Sequence, residues 1–283
     1  MQRYKIIHRT YYNFGAEVRP GPHTLLLRPR EGHELRVESS KLDIRPTAQL
    51  RWQRDVEDNS VAIATFSTST MQLAIESEVI IQQFNLAPLD FFVADYAVNY
   101  PFSFSLEEMT VLQPYIDCAE NDGRNQLGEW IADLWRPGEQ IQTFALLDRL
   151  NVHIHKSLSY QLREEPGVQS VTQTLSLASG SCRDFASLFI EAARHLGLAA
   201  RFVSGYLHAQ PSPTNFGATH AWSEVFLPGA GWKGFDPSTG SVVGTDHIPV
   251  AVARDPRSVP PVSGTFNGPP GASLDVGVWV TEL

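Results

Sequence analysis

Over the first hundred residues the apolar positions fall in short runs separated by Gly, Pro, Asn and Asp. Residues 4–14, 23–27, 34–44, 61–67 and 71–83 are rich in β-branched and aromatic side chains. Within 73–80 apolar and polar residues partly alternate, as they do on a half-buried strand. Successive strands of this kind predict an antiparallel, β-sandwich-like domain. Residues 87–114 hold several Pro and aromatic residues without a period and read as a connection. The spacing then becomes helical. Leu127, Trp130, Ile131 and Leu134 share one face, and Arg136-Pro137-Gly138 ends that helix. Phe144, Leu147, Leu150, Ile154 and Leu158 mark a second helix. An irregular stretch at 160–171 leads toward strands at 201–207, 219–227 and 232–236. The tail at 256–271 is rich in Pro, Gly and Ser, and 273–281 alternates like an edge strand. The fold class is α+β: an N-terminal antiparallel β-sandwich-like domain over 1–115, then a helix-and-sheet core over 116–283 that takes in the C-terminal strand.

Composition narrows the function. A formal net charge of -9 argues against a nucleic-acid binder, which needs a basic face. No apolar run approaches the roughly 20 residues of a membrane span, and the first residues lack a signal-peptide pattern. Cys118 and Cys182 are the two cysteines, and a reducing cytoplasm is the expected location.

The most informative segment is Gly180-Ser181-Cys182-Arg183-Asp184-Phe185-Ala186. Ser181 is a good N-cap, and Asp184 three residues on makes a capping-box pattern. Phe185, Leu188, Phe189, Ala192 and Leu196 form one stripe, and Gly197 supplies a stop. Cys182 then sits in the first helical turn, where unpaired N–H groups and the positive end of the dipole favour a thiolate. Its own N–H can donate to an oxyanion. Gly180 is expected to leave room for a substrate.

His220, Trp222, Glu224 and Phe226 share one face of the 219–227 strand. The chain turns at Pro228-Gly229-Ala230-Gly231 and returns through Trp232 to Asp236, which precedes Pro237. Thiol, imidazole and carboxylate are the three parts of a catalytic triad. A symmetric two-stranded hairpin would put Asp236 across from Ser223, on the wrong face. A three-residue loop, or a bulge, is required to bring it level with Trp222 and diagonal to His220.

These blocks, with 199–206 between them, resemble the bacterial transglutaminase-like superfamily. Arg28-Pro29-Arg30 near the start, and Asp246-His247-Ile248 with Arg254-Asp255 near the end, are similar to a bacterial branch in which a β domain precedes the core. The resemblance implies a papain-like core, with the nucleophile's helix packed on an antiparallel sheet. It implies a triad of Cys182, His220 and Asp236, and a cysteine protease or transglutaminase-like enzyme. It does not fix the reaction: amide hydrolysis leads, with acyl transfer to an amine and a non-catalytic binding module as alternatives. Tyr160 or Gln161 is the candidate second oxyanion donor, and Trp222, Trp232 and Tyr206 are candidate walls of an amine pocket. The substrate expected is a peptide or small amide, with a homo-oligomer or protein partner open through the β domain.

No cofactor is expected. His153 and His155 lack a third metal ligand at suitable spacing, and the calcium dependence of animal transglutaminases is not carried over. Asp246 and His247 read as a surface turn, with a place flanking the site as the alternative. Cys118, between Asp117 and Glu120, is a poor nucleophile because like charge disfavours its thiolate.

Overall fold

The computed structural model describes residues 1–84, 86–118, 123–163, 165–208 and 219–283, the side chain of Arg124 excepted. The chain begins with β1 (Gln2–Leu25), one 24-residue strand that takes in two of the expected ones. Then follow β2 (Leu35–Arg45), β3 (Ala48–Arg54), β4 (Ser60–Phe66) and β5 (Thr70–Gln83). They pair antiparallel in the order β2-β5-β1-β4-β3. A register shift between Asn13 and Val18 lets the long strand serve both ends of the sheet.

The stretch expected to be a plain connection contains β6 (Asn99–Tyr100) and a helix, α1 (Leu106–Ile116). Ser105 caps that helix: its hydroxyl accepts the Glu108 N–H, and the Glu108 carboxylate accepts the Ser105 N–H. The two helices read from spacing are α2 (Arg124–Ile131) and α3 (Thr143–Ser157), with β7 (Ile141–Gln142) between them. Next come β8 (Ser159–Tyr160), α4 (Val171–Leu177), β9 (Ser179–Gly180) and α5 (Cys182–His195).

The core sheet is built from β10 (Ala200–Leu207), β11 (His220–Leu227), β12 (Gly231–Asp236), β13 (Ser241–Val242) and β14 (His247–Ala253). Its order is β13-β12-β11-β10-β14. α5 lies on this sheet: Phe189 stacks on Phe235 at 5.3 Å, and the Ser223 hydroxyl donates to the Ala186 carbonyl. The expected stripe of α5 is buried, but so are Asp184, Glu191 and Arg194. The helix is therefore enclosed round most of its circumference, and its charged residues are held by partners.

The last strands, β15 (Val262–Asn267) and β16 (Ala272–Glu282), both pair with β1. The C-terminal strand is thus an edge strand, as its alternation suggests, but of the N-terminal sheet and not of the 116–283 core to which the domain boundary assigns it. The two layers meet through Tyr4, Ile6, Val79 and Ile81 on one side and Tyr206, Ile248 and Val250 on the other. Asn59 acts there as a substitute strand partner, giving its amide N–H to the Val252 carbonyl and accepting the Val252 N–H, both at 2.8 Å.

His8 is buried in this interface, between the Tyr206 hydroxyl at 3.1 Å and the Thr10 hydroxyl at 2.9 Å. The Tyr206 hydroxyl donates to the Leu27 carbonyl, so it accepts from His8 Nδ1. Burial lowers the imidazole from 6.5 to about 4. The unfolded chain protonates His8 below 6.5 and the folded one does not, so this stability is full above that pH and falls as pH drops toward 4. A loss of about 2 kcal/mol between pH 7 and pH 5 is expected from this group. Urea unfolding at the two pH values measures it; the difference should shrink by that amount in His8→Gln, and an unchanged difference contradicts the assignment.

Candidate active site

The start of α5 is built by its own first turn. The Asp184 carboxylate accepts the Ser181 N–H at 2.8 Å and the Ser181 hydroxyl at 2.7 Å. It also accepts Arg163 and the Gln169 N–H, each at 2.7 Å. Arg183 donates to the carbonyls of Arg163 and Glu165. Cap and neighbour therefore strap the segment after Tyr160 onto the helix start. Gly180 has a different reason from the one expected: a Cβ there would stand 2.8 Å from the Asp184 Cβ, so the glycine makes room for the cap, not for a substrate.

Cys182 is buried, with a small part of its surface exposed. Parallel pairing of Tyr160 with Gly180 sets the Tyr160 side chain beside the helix start. The Tyr160 hydroxyl and the His220 ring are both close enough to the Cys182 sulfur to be shifted by it. Burial, then the nearby sulfur, pushes the Tyr160 hydroxyl up, so it stays a donor. Gln161 is not a second candidate by its backbone, because its N–H is spent on the Gly180 carbonyl at 2.8 Å.

The hairpin has the three-residue loop the register requires. Leu227 pairs with Gly231 and Ser223 with Phe235, which carries Asp236 level with Trp222. Gly229 and Gly231 make the loop possible at φ of 83° and 76°. Asp236 Oδ2 then lies 2.8 Å from His220 Nε2. That leaves Nδ1 as the ring atom facing Cys182. Burial by itself would lower the His220 imidazole; the Asp236 carboxylate outweighs it and, with Cys182, raises it to about 10.

Asp236 is fully buried and fully partnered. Its Oδ1 accepts the Ser238 N–H at 3.0 Å and the Ser238 hydroxyl at 2.5 Å. Its Oδ2 receives His220 and a second histidine, His247, at 3.2 Å. Burial opposes ionisation, but His220 first and His247 second hold the carboxyl well below the usual range. His155, one of the pair considered for metal, donates instead to the Ser238 carbonyl at 3.0 Å and supports this turn. His153 packs on Trp130. His220, Asp236 and His247 bring ligand-type atoms within 4.8 Å of one another. Those atoms are already joined by hydrogen bonds, and the set reads as a relay.

The aromatic walls expected for an amine pocket are elsewhere. Trp222 is buried behind His220, against Val203 and Val252. Tyr206 is taken up by the interface with the β domain. Trp232 lies four residues along the strand from Asp236, about 13 Å at strand rise, under the Arg201 guanidinium. For His247 the surface turn gives way to the alternative: it is buried on β14 and flanks the site at Asp236, while Asp246 is exposed and accepts from Tyr4. Cys118 is half-buried, and Glu120 lies outside the described residues.

A thiol at a helix start, an imidazole and a buried carboxylate on an antiparallel hairpin define the papain-like class of cysteine site. Residues 4–82 match the bacterial transglutaminase-like N-terminal region, and residues 138–237 match the transglutaminase-like superfamily. The chain belongs to the transglutaminase-like superfamily and carries the N-terminal β region of its bacterial members. It is 26% identical over 295 residues to an uncharacterised protein of Mycobacterium leprae, with all of both chains covered. It is 28% identical over 300 residues to an uncharacterised protein of Mycobacterium tuberculosis, covering 99% of this chain and 93% of that one. A candidate cysteine protease from Cytophaga hutchinsonii superposes with a TM-score of 0.76 at 16% identity, over 100% of this chain and 91% of that one, which shows the shared fold.

Proposed function

We propose that the protein is a cysteine-nucleophile amide hydrolase acting on a peptide or small amide. The observation that carries this reading is the chain of contacts from Cys182 through His220 to Asp236. The Cys182 sulfur, its proton held on His220, attacks the carbonyl carbon. The negative charge gathering on the carbonyl oxygen is met by the Cys182 N–H and the Tyr160 hydroxyl. The C–N bond breaks as His220 gives its proton to the leaving amine, and a thioester remains. Water then attacks the thioester, His220 takes the water's proton, the C–S bond breaks, and the acid leaves. Asp236 holds the ring and its charge throughout.

Hydrolysis leads over transfer to an amine because it needs only water at the thioester, whereas transfer also needs an amine pocket from which water is excluded. Product analysis on peptide amides, with and without an added primary amine, tests this. The expected product is the free acid in both cases; a new amide with the added amine would move the reading to acyl transfer. Tyr160→Phe is expected to slow amide turnover about 10²–10³-fold while leaving Cys182 alkylation nearly unchanged, because alkylation builds no oxyanion. Equal effects on both rates would remove Tyr160 from the oxyanion role. A reducing cytoplasm, which would keep a nucleophilic thiol free, is the proposed location.

A further inference from the structure

His247 lies beyond the part of the core that matches the superfamily, which ends at residue 237. It comes from β14, at the opposite edge of the sheet from the β12–β13 side that carries Asp236. Even so, its ring reaches the carboxylate oxygen that His220 uses. Its other nitrogen, Nδ1, accepts the Gly244 N–H at 3.3 Å. A ring nitrogen that accepts carries no proton, so the proton of the neutral ring is on Nε2 and points at Asp236. The ring is fixed from the side by Trp222, edge-on at 5.2 Å. Trp222 in turn lies over Gly205, where a side chain would strike its ring and the Ile248 carbonyl. The segment before His247 is held by the β domain: Tyr4 donates to Asp246 at 3.2 Å, and the Gln83 amide donates to the Thr245 carbonyl at 3.3 Å.

We propose that His247 is a positioning residue of the site: its Nε2–H, on the Asp236 oxygen that receives His220, fixes the carboxylate and thereby the His220 ring against Cys182. This rests on the reading of Cys182, His220 and Asp236 as the reacting set. An ionised carboxylate is acceptor-only on both oxygens, and here donors fill both. Without His247 one lone pair of Oδ2 is left facing a buried space. The carboxyl then turns, or takes a proton as pH falls, and in either case His220 loses its anchor. The titratable groups that face this carboxyl or its ring partners are His220 from β11, His247 from β14, Cys182 from α5 and Tyr160 from β8; Arg183 stands beyond Tyr160, and His155 of α3 holds the turn through the Ser238 carbonyl.

The test uses the full chain with His247→Phe and His247→Gln, the second because a glutamine amide nitrogen can donate from nearly the position of Nε2. Two readouts are taken: iodoacetamide alkylation of Cys182 from pH 5 to pH 8, and the ring nitrogen and Nε2–H signals of His220 by NMR. In His247→Phe alkylation should fall about tenfold at pH 7 and further at pH 5, with the His220 signal shifted. His247→Gln should restore the rate to within about threefold and bring back the wild-type pH profile, at matched melting temperature. Wild-type rate, profile and His220 signal in His247→Phe overturn the proposal, as does His247→Gln failing as badly as His247→Phe while melting like wild type. An unreactive wild-type thiol would instead sink the proposed function, and the NMR readout would still decide whether His247 positions His220.

Discussion

Asp236→Asn is expected to slow amide hydrolysis about 10³–10⁴-fold, the scale seen when the orienting acid of a triad becomes an amide. The physical reason lies in the donors around this carboxylate. Oδ1 is held by the Ser238 N–H and hydroxyl, so an amide oxygen would settle there. The amide nitrogen, a donor, then points at His220 and His247, which are also donors in this arrangement. His220 must release its proton from Nε2 and carry it on Nδ1 instead, the atom facing Cys182. That tautomer cannot take a proton from the thiol. The loss of the carboxylate charge also removes what keeps His220 cationic, since burial alone lowers its imidazole. A variant that keeps more than a tenth of the wild-type rate would show that Asp236 does not orient His220.

Arg194→Ala is expected to cost stability of about 3–5 kcal/mol, the range for breaking a buried ion pair from one side. Arg194 is buried in the last turn of α5 and pairs with Glu191 at 2.8 Å. Its remaining donors go to the carbonyls of Tyr115, Ala200 and Arg254. One guanidinium thus joins the end of α1, the start of β10 and the chain after β14 to the helix that carries Cys182. Alanine leaves a buried carboxylate and three carbonyls without these donors. A melting temperature lower by about 10 °C follows for a chain of this size. Arg194→Lys should recover only part of this, since a single ammonium cannot reproduce the planar fork. A change below about 1 kcal/mol would mean that water replaces the guanidinium at little cost.

α5 was legible because independent local signals agreed: a capping pair, an apolar stripe and a terminal glycine at φ 77°. The hairpin register was legible as a requirement, since only an odd loop brings Asp236 to the His220 face, and the glycines permit it. α1 was hidden although Ser105 and Glu108 signalled its start. Leu106 and Val111 are exposed and Pro114 lies inside it, so no apolar period marks it. β3 was hidden because it is an edge strand whose residues are mostly exposed and polar. His247 and Tyr206 could not be placed from neighbours in sequence. Their partners, Asp236 for one and His8 with Leu27 for the other, are set by strand order and by the return of the chain onto β1. Cys182, His220 and Asp236 were readable as a set because they lie on two local motifs; what supports them is assembled from distant strands.

The account rests on Cys182 being an activated nucleophile, and its iodoacetamide rate at pH 7 tests this most directly. Native protein should alkylate at Cys182 at least about tenfold faster than the same thiol in the urea-unfolded chain, since a free thiol is only a few per cent thiolate at that pH. The signal should vanish in Cys182→Ala and drop to the unfolded rate in His220→Ala. A native Cys182 that reacts no faster than the unfolded thiol would contradict the account.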